Sequence, residues 1–227
     1  YPIEFWATWC KPCRKTIPHL NELYDIYHHD GLEVIGISSG EKKQTVESFV
    51  HHQGDNMQYN IALDRRASTK RSWMDAAGLK GIPAAFLVGP NGRIQWMGNP
   101  HPMADQEELD EILPKVLDGR YDVLLMKDAE PLLEAAKRHH DLKNWRMAFN
   151  YLDRVIELDN HIFAFEHFKK YEIMAVDMED PQRADQYAQK LISDYSDDAT
   201  FLKRFAKMIA TSPKIPDNQR AMDTALK

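Results

Sequence analysis

Cys10 and Cys13 are the only two cysteines of the 227 residues, and the run that holds them, Trp9-Cys10-Lys11-Pro12-Cys13, sits where an apolar segment gives way to an amphipathic one. Two thiols three positions apart cannot staple distant parts of a chain, so the pair reads as redox chemistry and not as a structural framework. Zinc would want four ligands, and no second cysteine pair follows. Upstream, Tyr1-Pro2-Ile3-Glu4-Phe5-Trp6 is apolar and aromatic with Glu4 as its interruption, the pattern of a buried strand. Downstream, Ile17, Leu20, Leu23, Tyr24 and Tyr27 recur at helical spacing. Strand, short loop and helix, with the cysteines at the junction, is the expectation from which the rest is built.

That junction suits thiol chemistry. The thiolate is the reactive form, and an ordinary cysteine with a pKa near ~8.5 is mostly inert at neutral pH. Cys10 in the first turn of a helix would meet unpaired backbone amides and the positive end of the helix dipole, with Lys11 adding a nearby cation. Cys13, one turn on and on the same side, is placed to attack a mixed disulfide formed at Cys10. Cys10 is thus the expected nucleophile and Cys13 the resolving thiol. Pro12 restrains the first turn without wasting a hydrogen bond, since amides there lack helical partners.

Beyond the first helix, Leu32 to Ile37 reads as a second strand after the turn Asp30-Gly31, and Lys42 to His52 as a helix with Val46, Phe49 and Val50 on one face. Tyr59 to Leu63 is a short strand candidate, and Arg66 to Ala77 a helix stopped by Gly78. Ala84 to Val88 and Arg93 to Met97 flank Gly89-Pro90-Asn91-Gly92, whose Asn91-Gly92 signals a tight hairpin. Ala104 to Leu117 closes the first half as a helix ending at Asp118-Gly119. A chain longer than roughly 150 residues suggests two domains. The composition changes near Gly119, for all 10 glycines lie at or before it. The expected division is an α/β domain over residues 1–119 and an all-helical domain over 120–227.

Within the helical half, residues 144–151 align with residues 180–187, 36 residues on, sharing Ala148 with Ala184 and Tyr151 with Tyr187. A period near 34 residues is that of stacked helix-turn-helix units, and the tandem resembles degenerate tetratricopeptide repeats. Phe163, Phe165, Phe168, Met174 and Met178 are expected to fill the core of this half. A loop and a short helix are expected after Thr211, where Pro213 and Pro216 fall. The paired histidines His28-His29, His51-His52 and His139-His140 are read as solvated helix faces.

The formal charge of −6 is spread along the chain, with no basic footprint for nucleic acid. No apolar run approaches the roughly 20 residues that span a bilayer. Nothing like a signal peptide opens the sequence.

The run Glu4-Phe5-Trp6-Ala7-Thr8-Trp9-Cys10-Lys11-Pro12-Cys13 resembles the thioredoxin superfamily, and within it the TlpA and ResA-like redoxin branch. Pro18 matches the position of that family's kinking proline and is expected to interrupt the helix. Ile82-Pro83 ahead of the hairpin matches its cis-proline landmark. The resemblance implies a thioredoxin-like fold and dithiol-disulfide exchange with protein thiols, fed by a redox donor or acceptor protein. It implies no cofactor beyond the Cys10-Cys13 disulfide, and no metal. Trp9, Lys11, Pro12, Ile82 and Pro83 become the substrate-facing residues, the backbone of Ile82 pairing with substrate. Glu4 takes the position of a buried carboxylate beneath the resolving cysteine, where burial raises its pKa and fits it to accept the Cys13 proton. The resemblance also implies a periplasmic or envelope location. The strand that ordinarily precedes the cysteine-bearing one is missing, which reads as a piece of a longer protein.

Three rivals remain. Copper-delivery relatives of the Sco type space their cysteines by three residues, where this chain has two. A peroxiredoxin-like peroxidase carries threonine three residues before its reactive cysteine, a position held here by Ala7, with Thr8 one place off. A scaffold would use the helical half to bind a partner protein and the first half as a platform.

Overall fold

The computed structural model describes residues 1–212 and 215, so the loop and short helix expected around Pro213 and Pro216 lie outside the described residues. The chain divides into two compact units, Tyr1–Val123 and Leu124–Lys227.

In the first unit the opening apolar run forms β1 (Pro2–Trp6), buried along its whole length. It is the central strand of a five-stranded sheet ordered β3-β2-β1-β4-β5, covered on both faces. β2 (Ile35–Ser39) pairs parallel with β1, and β3 (Asn60–Asp64) parallel with β2. β4 (Ala84–Val88) and β5 (Ile94–Gly98) form the antiparallel hairpin, β4 lying against β1. This is the thioredoxin-like arrangement that the resemblance implies. Leu32 and Val34 are buried as the strand pattern requires, although the β2 ladder begins only at Ile35.

Side chains alternate across a strand, and that period sorts the core. Ile3 and Phe5 join Ile37, Met74, Phe86 and Val88 on one face. Trp6 joins Cys13, Ile17, Leu20, Leu87 and Leu109 on the other. Glu4, two residues before Trp6, therefore points toward the layer that carries the cysteines.

That layer is built from α1 (Cys13–Tyr27), whose buried residues include Ile17, Leu20 and Leu23, and α4 (Gln106–Leu117). Two expectations are corrected in α1. The helix is continuous through Pro18, which removes one helical hydrogen bond and does not end the element. It also begins at Cys13, with Pro12 as its N-cap, so Cys10 precedes the helix and does not lie in its first turn. On the sheet's flanks, α2 (Lys43–Gln53) buries Val46. The helix expected over 66–77 is a short α3 (Ser68–Lys70) that widens into a π-helical turn over Arg71–Asp75. Its start is set by Asp64, which accepts the backbone N–H groups of Ser68 and Lys70 at 2.9 Å each. In the hairpin, Gly92 N–H bonds to the Gly89 carbonyl at 3.0 Å, and Gly92 adopts φ 73°, the left-handed residue that closes a longer hairpin loop.

The second unit contains α5 (Val123–Asp141), α6 (Trp145–Leu158), α7 (Glu166–Glu172) running on as a π-helical turn over Ile173–Asp177, α8 (Pro181–Asp194) and α9 (Ala199–Thr211). The 36-residue sequence offset has a structural counterpart. Lys143 and Glu179 both take left-handed φ, at 54° and 52°. The next residues, Asn144 and Asp180, each cap a helix of 14 residues by accepting the backbone N–H three positions on. Ala148 and Ala184 are buried at equivalent positions. The core is aromatic, with Phe168 packed on Phe201 and Phe205, and with Phe163 and Met174 buried. His139 and His140 are half-buried, stacked on Tyr151 and tilted against Trp145, because α5 turns that edge toward α6. For this pair the expectation of a solvated face is corrected.

Candidate active site

β1 ends at Trp6 and the chain turns over Ala7-Thr8-Trp9 to Cys10, a turn closed by the Cys10 N–H on the Ala7 carbonyl at 3.1 Å. Cys10 and Cys13 are joined in a disulfide with an S–S distance of 2.05 Å. Cys10 is 3% exposed and Cys13 fully buried, so approach from outside is to Cys10. The Cys13 backbone N–H lies 3.2 Å from Cys10 Sγ, aimed at it from the first turn of the 15-residue α1. A helix N-terminus offers unpaired amides and a positive dipole end, and here both face the sulfur even though Cys10 lies outside the helix.

Ile82-Pro83 is a cis peptide bond, and the Ile82 carbonyl oxygen stands 3.8 Å from Cys10 Sγ. Trp9 is 68% exposed beside the pair. Lys11 and Pro12 are exposed, Ile82 half-buried and Pro83 buried. The structure thus brings Ile82-Pro83 to Cys10, and Trp9, Lys11 and Pro12 flank that cysteine along the chain.

Glu4 is fully buried, level with Gly36 in β2 and Ala85 in β4. Burial pushes its carboxyl up to about 8, opposed by a hydrogen bond from Thr16. Thr16 Oγ1 contacts Glu4 Oε1 and also lies 2.8 Å from the Cys13 carbonyl oxygen. One hydroxyl proton cannot serve both acceptors. With Glu4 protonated, its O–H can donate to Thr16 while Thr16 donates to Cys13. With Glu4 ionised, the Thr16 proton turns to the carboxylate. Glu4 Oε2, Tyr59 Oη and Trp6 Nε1 are buried without a hydrogen-bond partner among the described residues. The Tyr59 phenol is pushed upward by burial and by the charge of Glu4. Gly36 is required here: a Cβ on it would stand 2.9 Å from both Trp6 Nε1 and Ile61 Cδ1 and 3.2 Å from Tyr59.

The residues that sequence reasoning missed hold the loop. All three polar backbone and side-chain groups of Thr8 are gripped. Its N–H and Oγ–H donate to Glu41 at 2.9 and 2.5 Å, and its carbonyl accepts Arg14 Nε and Nη2 at 2.9 and 2.5 Å. Ser38 Oγ donates to the same Glu41 carboxylate at 2.7 Å. Arg14 lies next to Cys13 in sequence and was a visible candidate; Glu41, in the loop two residues past β2, carried no local signal. Among the described residues no three His, Cys, Asp or Glu side chains gather as a metal site, and no helix is long and apolar enough to cross a membrane.

Residues 3–97 match the family model described as AhpC/TSA family. Among curated proteins, the chain is 37% identical over 93 residues to "Thiol-disulfide oxidoreductase ResA" of Geobacillus thermodenitrificans, covering 41% of this chain and 50% of that protein. It is 33% identical over 92 residues to the protein of the same name from Bacillus subtilis, covering 40% and 48%. The chain therefore spans about half the length of the curated relatives it matches. Among solved structures, a thiol:disulfide interchange protein of the thioredoxin family from Chlorobium tepidum aligns at 25% identity and a TM-score of 0.44, covering 52% of this chain and 79% of that one.

Proposed function

We propose that the first unit exchanges disulfides with protein substrates through Cys10 and Cys13. The observation that carries the reading is the joined pair at the head of α1, facing Ile82-Pro83 and lying above the buried Glu4. In the reducing direction the Cys10 thiolate attacks a substrate disulfide, forming a mixed disulfide and releasing one substrate thiolate. Cys13 then loses its proton and attacks Cys10 Sγ, which expels the second substrate thiolate and restores the Cys10-Cys13 bond. The reverse sequence oxidises a substrate dithiol.

Each residue has a role in this scheme. The Cys13 N–H and the α1 dipole stabilise the Cys10 thiolate. Glu4, ionising near neutral pH, takes up the Cys13 proton, with Thr16 between the carboxyl and the Cys13 backbone. Trp9, Lys11 and Pro12 form the rim on which a polypeptide docks. Pro83 presents Ile82, whose N–H has no hydrogen-bond partner among the described residues and whose carbonyl meets only Cys10 Sγ, so both are available to a docked main chain. The 36-residue helical units serve, in the manner of tetratricopeptide repeats, to recruit a partner. An envelope or periplasmic setting belongs to the same reading, as an oxidising compartment where such chemistry operates.

Insulin reduction by the full chain, together with accumulation of a mixed disulfide in a Cys13→Ser variant, tests the proposal. Consumption of peroxide with no protein thiol substrate, or partner capture with no thiol exchange at all, would replace it with the peroxidase or the scaffold.

A further inference from the structure

The redox chemistry leaves a groove in the helical unit unused. A cavity of about 680 Å³ is lined by Trp145, Arg146, Phe149, Asn150, Asp153 and Arg183, among others, from α6 and α8. A second hollow of about 350 Å³ shares Phe149, Asp153 and Arg183 and adds Lys170, Tyr187 and Lys190. Aromatic rings supply its apolar surface and cations its walls. Arg146, Arg183, Lys170 and Lys190 stand against a single lining carboxylate, Asp153, in a chain whose net charge is −6.

The pairing within the groove is uneven. Asp153 is engaged by the buried Lys170, and Lys190 pairs with Asp194 of its own helix. The Arg183 guanidinium lies 5.4 Å from the Phe149 ring centroid. Neither Arg183 nor Arg146 meets a carboxylate among the described residues. Both also sit in the first turn of their helices, where the dipole favours acids, and neither helix has an acid there. Asp180 supplies the carboxylate at the α8 end as its N-cap, whereas α6 is capped by the neutral Asn144, so the dipole of α6 is the one left without an acid. Arg146 and Arg183 stand near the N-terminal ends of α6 and α8 and line the same cavity.

We propose that this groove binds an acidic extended segment of a partner protein, its carboxylates meeting Arg146 and Arg183 and an apolar side chain between them resting on the half-buried Trp145. A guanidinium fork takes a carboxylate through two parallel hydrogen bonds, which a lysine cannot do. The inference concerns the helical unit alone and does not depend on the thiol chemistry.

Fluorescence anisotropy on the full chain, with a short labelled peptide alternating Glu and Val and its Gln-for-Glu and Lys-for-Glu counterparts, tests it. The Glu peptide is expected to bind at least ~10-fold more tightly than either counterpart and to weaken steeply with added salt. R146E/R183E should abolish the preference while leaving insulin reduction unchanged. If that variant misfolds, R146Q and R183Q separately should each weaken binding several-fold with circular dichroism unaltered. Equal binding of the Gln peptide, tighter binding of the Lys peptide, or undiminished affinity in both single variants overturns the proposal. So does self-association that the arginine substitutions remove with no peptide bound, which would assign the groove to a second copy. A Cys10→Ser/Cys13→Ser chain should bind the Glu peptide normally, so failure of the redox reading and failure of this one are distinguishable.

Discussion

Replacing Glu4 by glutamine should stabilise the first unit at neutral and alkaline pH while slowing its chemistry. Burial holds the Glu4 carboxyl at about 8, against an ordinary value of 4.5 in the unfolded chain. Below pH 4.5 both states are protonated and Glu4 costs nothing through ionisation. Between 4.5 and 8 the folded state binds more protons than the unfolded one, so stability falls as pH rises, by about 1.4 kcal/mol per unit. The accumulated loss is about 3 kcal/mol at pH 7 and about 5 kcal/mol above pH 8, where it levels off. An amide does not titrate, so the pH-stability curve of the Glu4→Gln variant lacks this fall. The buried amide adds a pH-independent offset, because one of its polar atoms inherits the unpartnered position of Glu4 Oε2. The slope is therefore the quantity to read. Urea unfolding of the oxidised protein followed by tryptophan fluorescence suits it, since Trp6, Trp9, Trp73 and Trp96 of the five tryptophans lie in the first unit. The difference between wild type and Glu4→Gln should grow from near its acid offset at pH 4.5 to several kcal/mol at pH 8, and the pH profile of Cys13 attack should flatten. Parallel stability curves from pH 4.5 to 8 refute the buried, protonated carboxyl and with it the proton-accepting role.

Cys13→Ser should accumulate a mixed disulfide with a protein substrate and Cys10→Ser should not, because only Cys10 reaches the surface; intact mass spectrometry after mixing decides, and equal trapping reverses the roles. Glu41→Gln exchanges one acceptor for a donor against Thr8 and Ser38, and should cost about 1–3 kcal/mol. It should also raise the KM for insulin more than that for a small disulfide, since the Thr8-Trp9 loop loosens; unchanged kinetics would make the grip structural only. Gly36→Ala puts a methyl 2.9 Å from Trp6 Nε1 and should destabilise the first unit by about 1–3 kcal/mol in the same unfolding assay.

Local pattern determined much of this protein. The apolar run before the cysteines, the helical spacing after them and the Asn91-Gly92 turn each report a structure formed among near neighbours, and Glu4 stands out as the one charge interrupting the opening apolar run. The loss of glycine after Gly119 and the 36-residue offset likewise announced a second, helical architecture. Helix boundaries were less legible: Pro18 does not end α1, because the apolar face of that helix is buried against the sheet and outweighs one missing hydrogen bond. What only the tertiary structure decided is contact between residues remote in sequence. Glu41 reaches Thr8 across 33 positions and Ile82 approaches Cys10 across 72, and neither pairing has a local period to betray it. The elevated Glu4 pKa belongs to the same class, for a carboxyl is held neutral by the number of layers above it, and those layers are assembled from the whole unit.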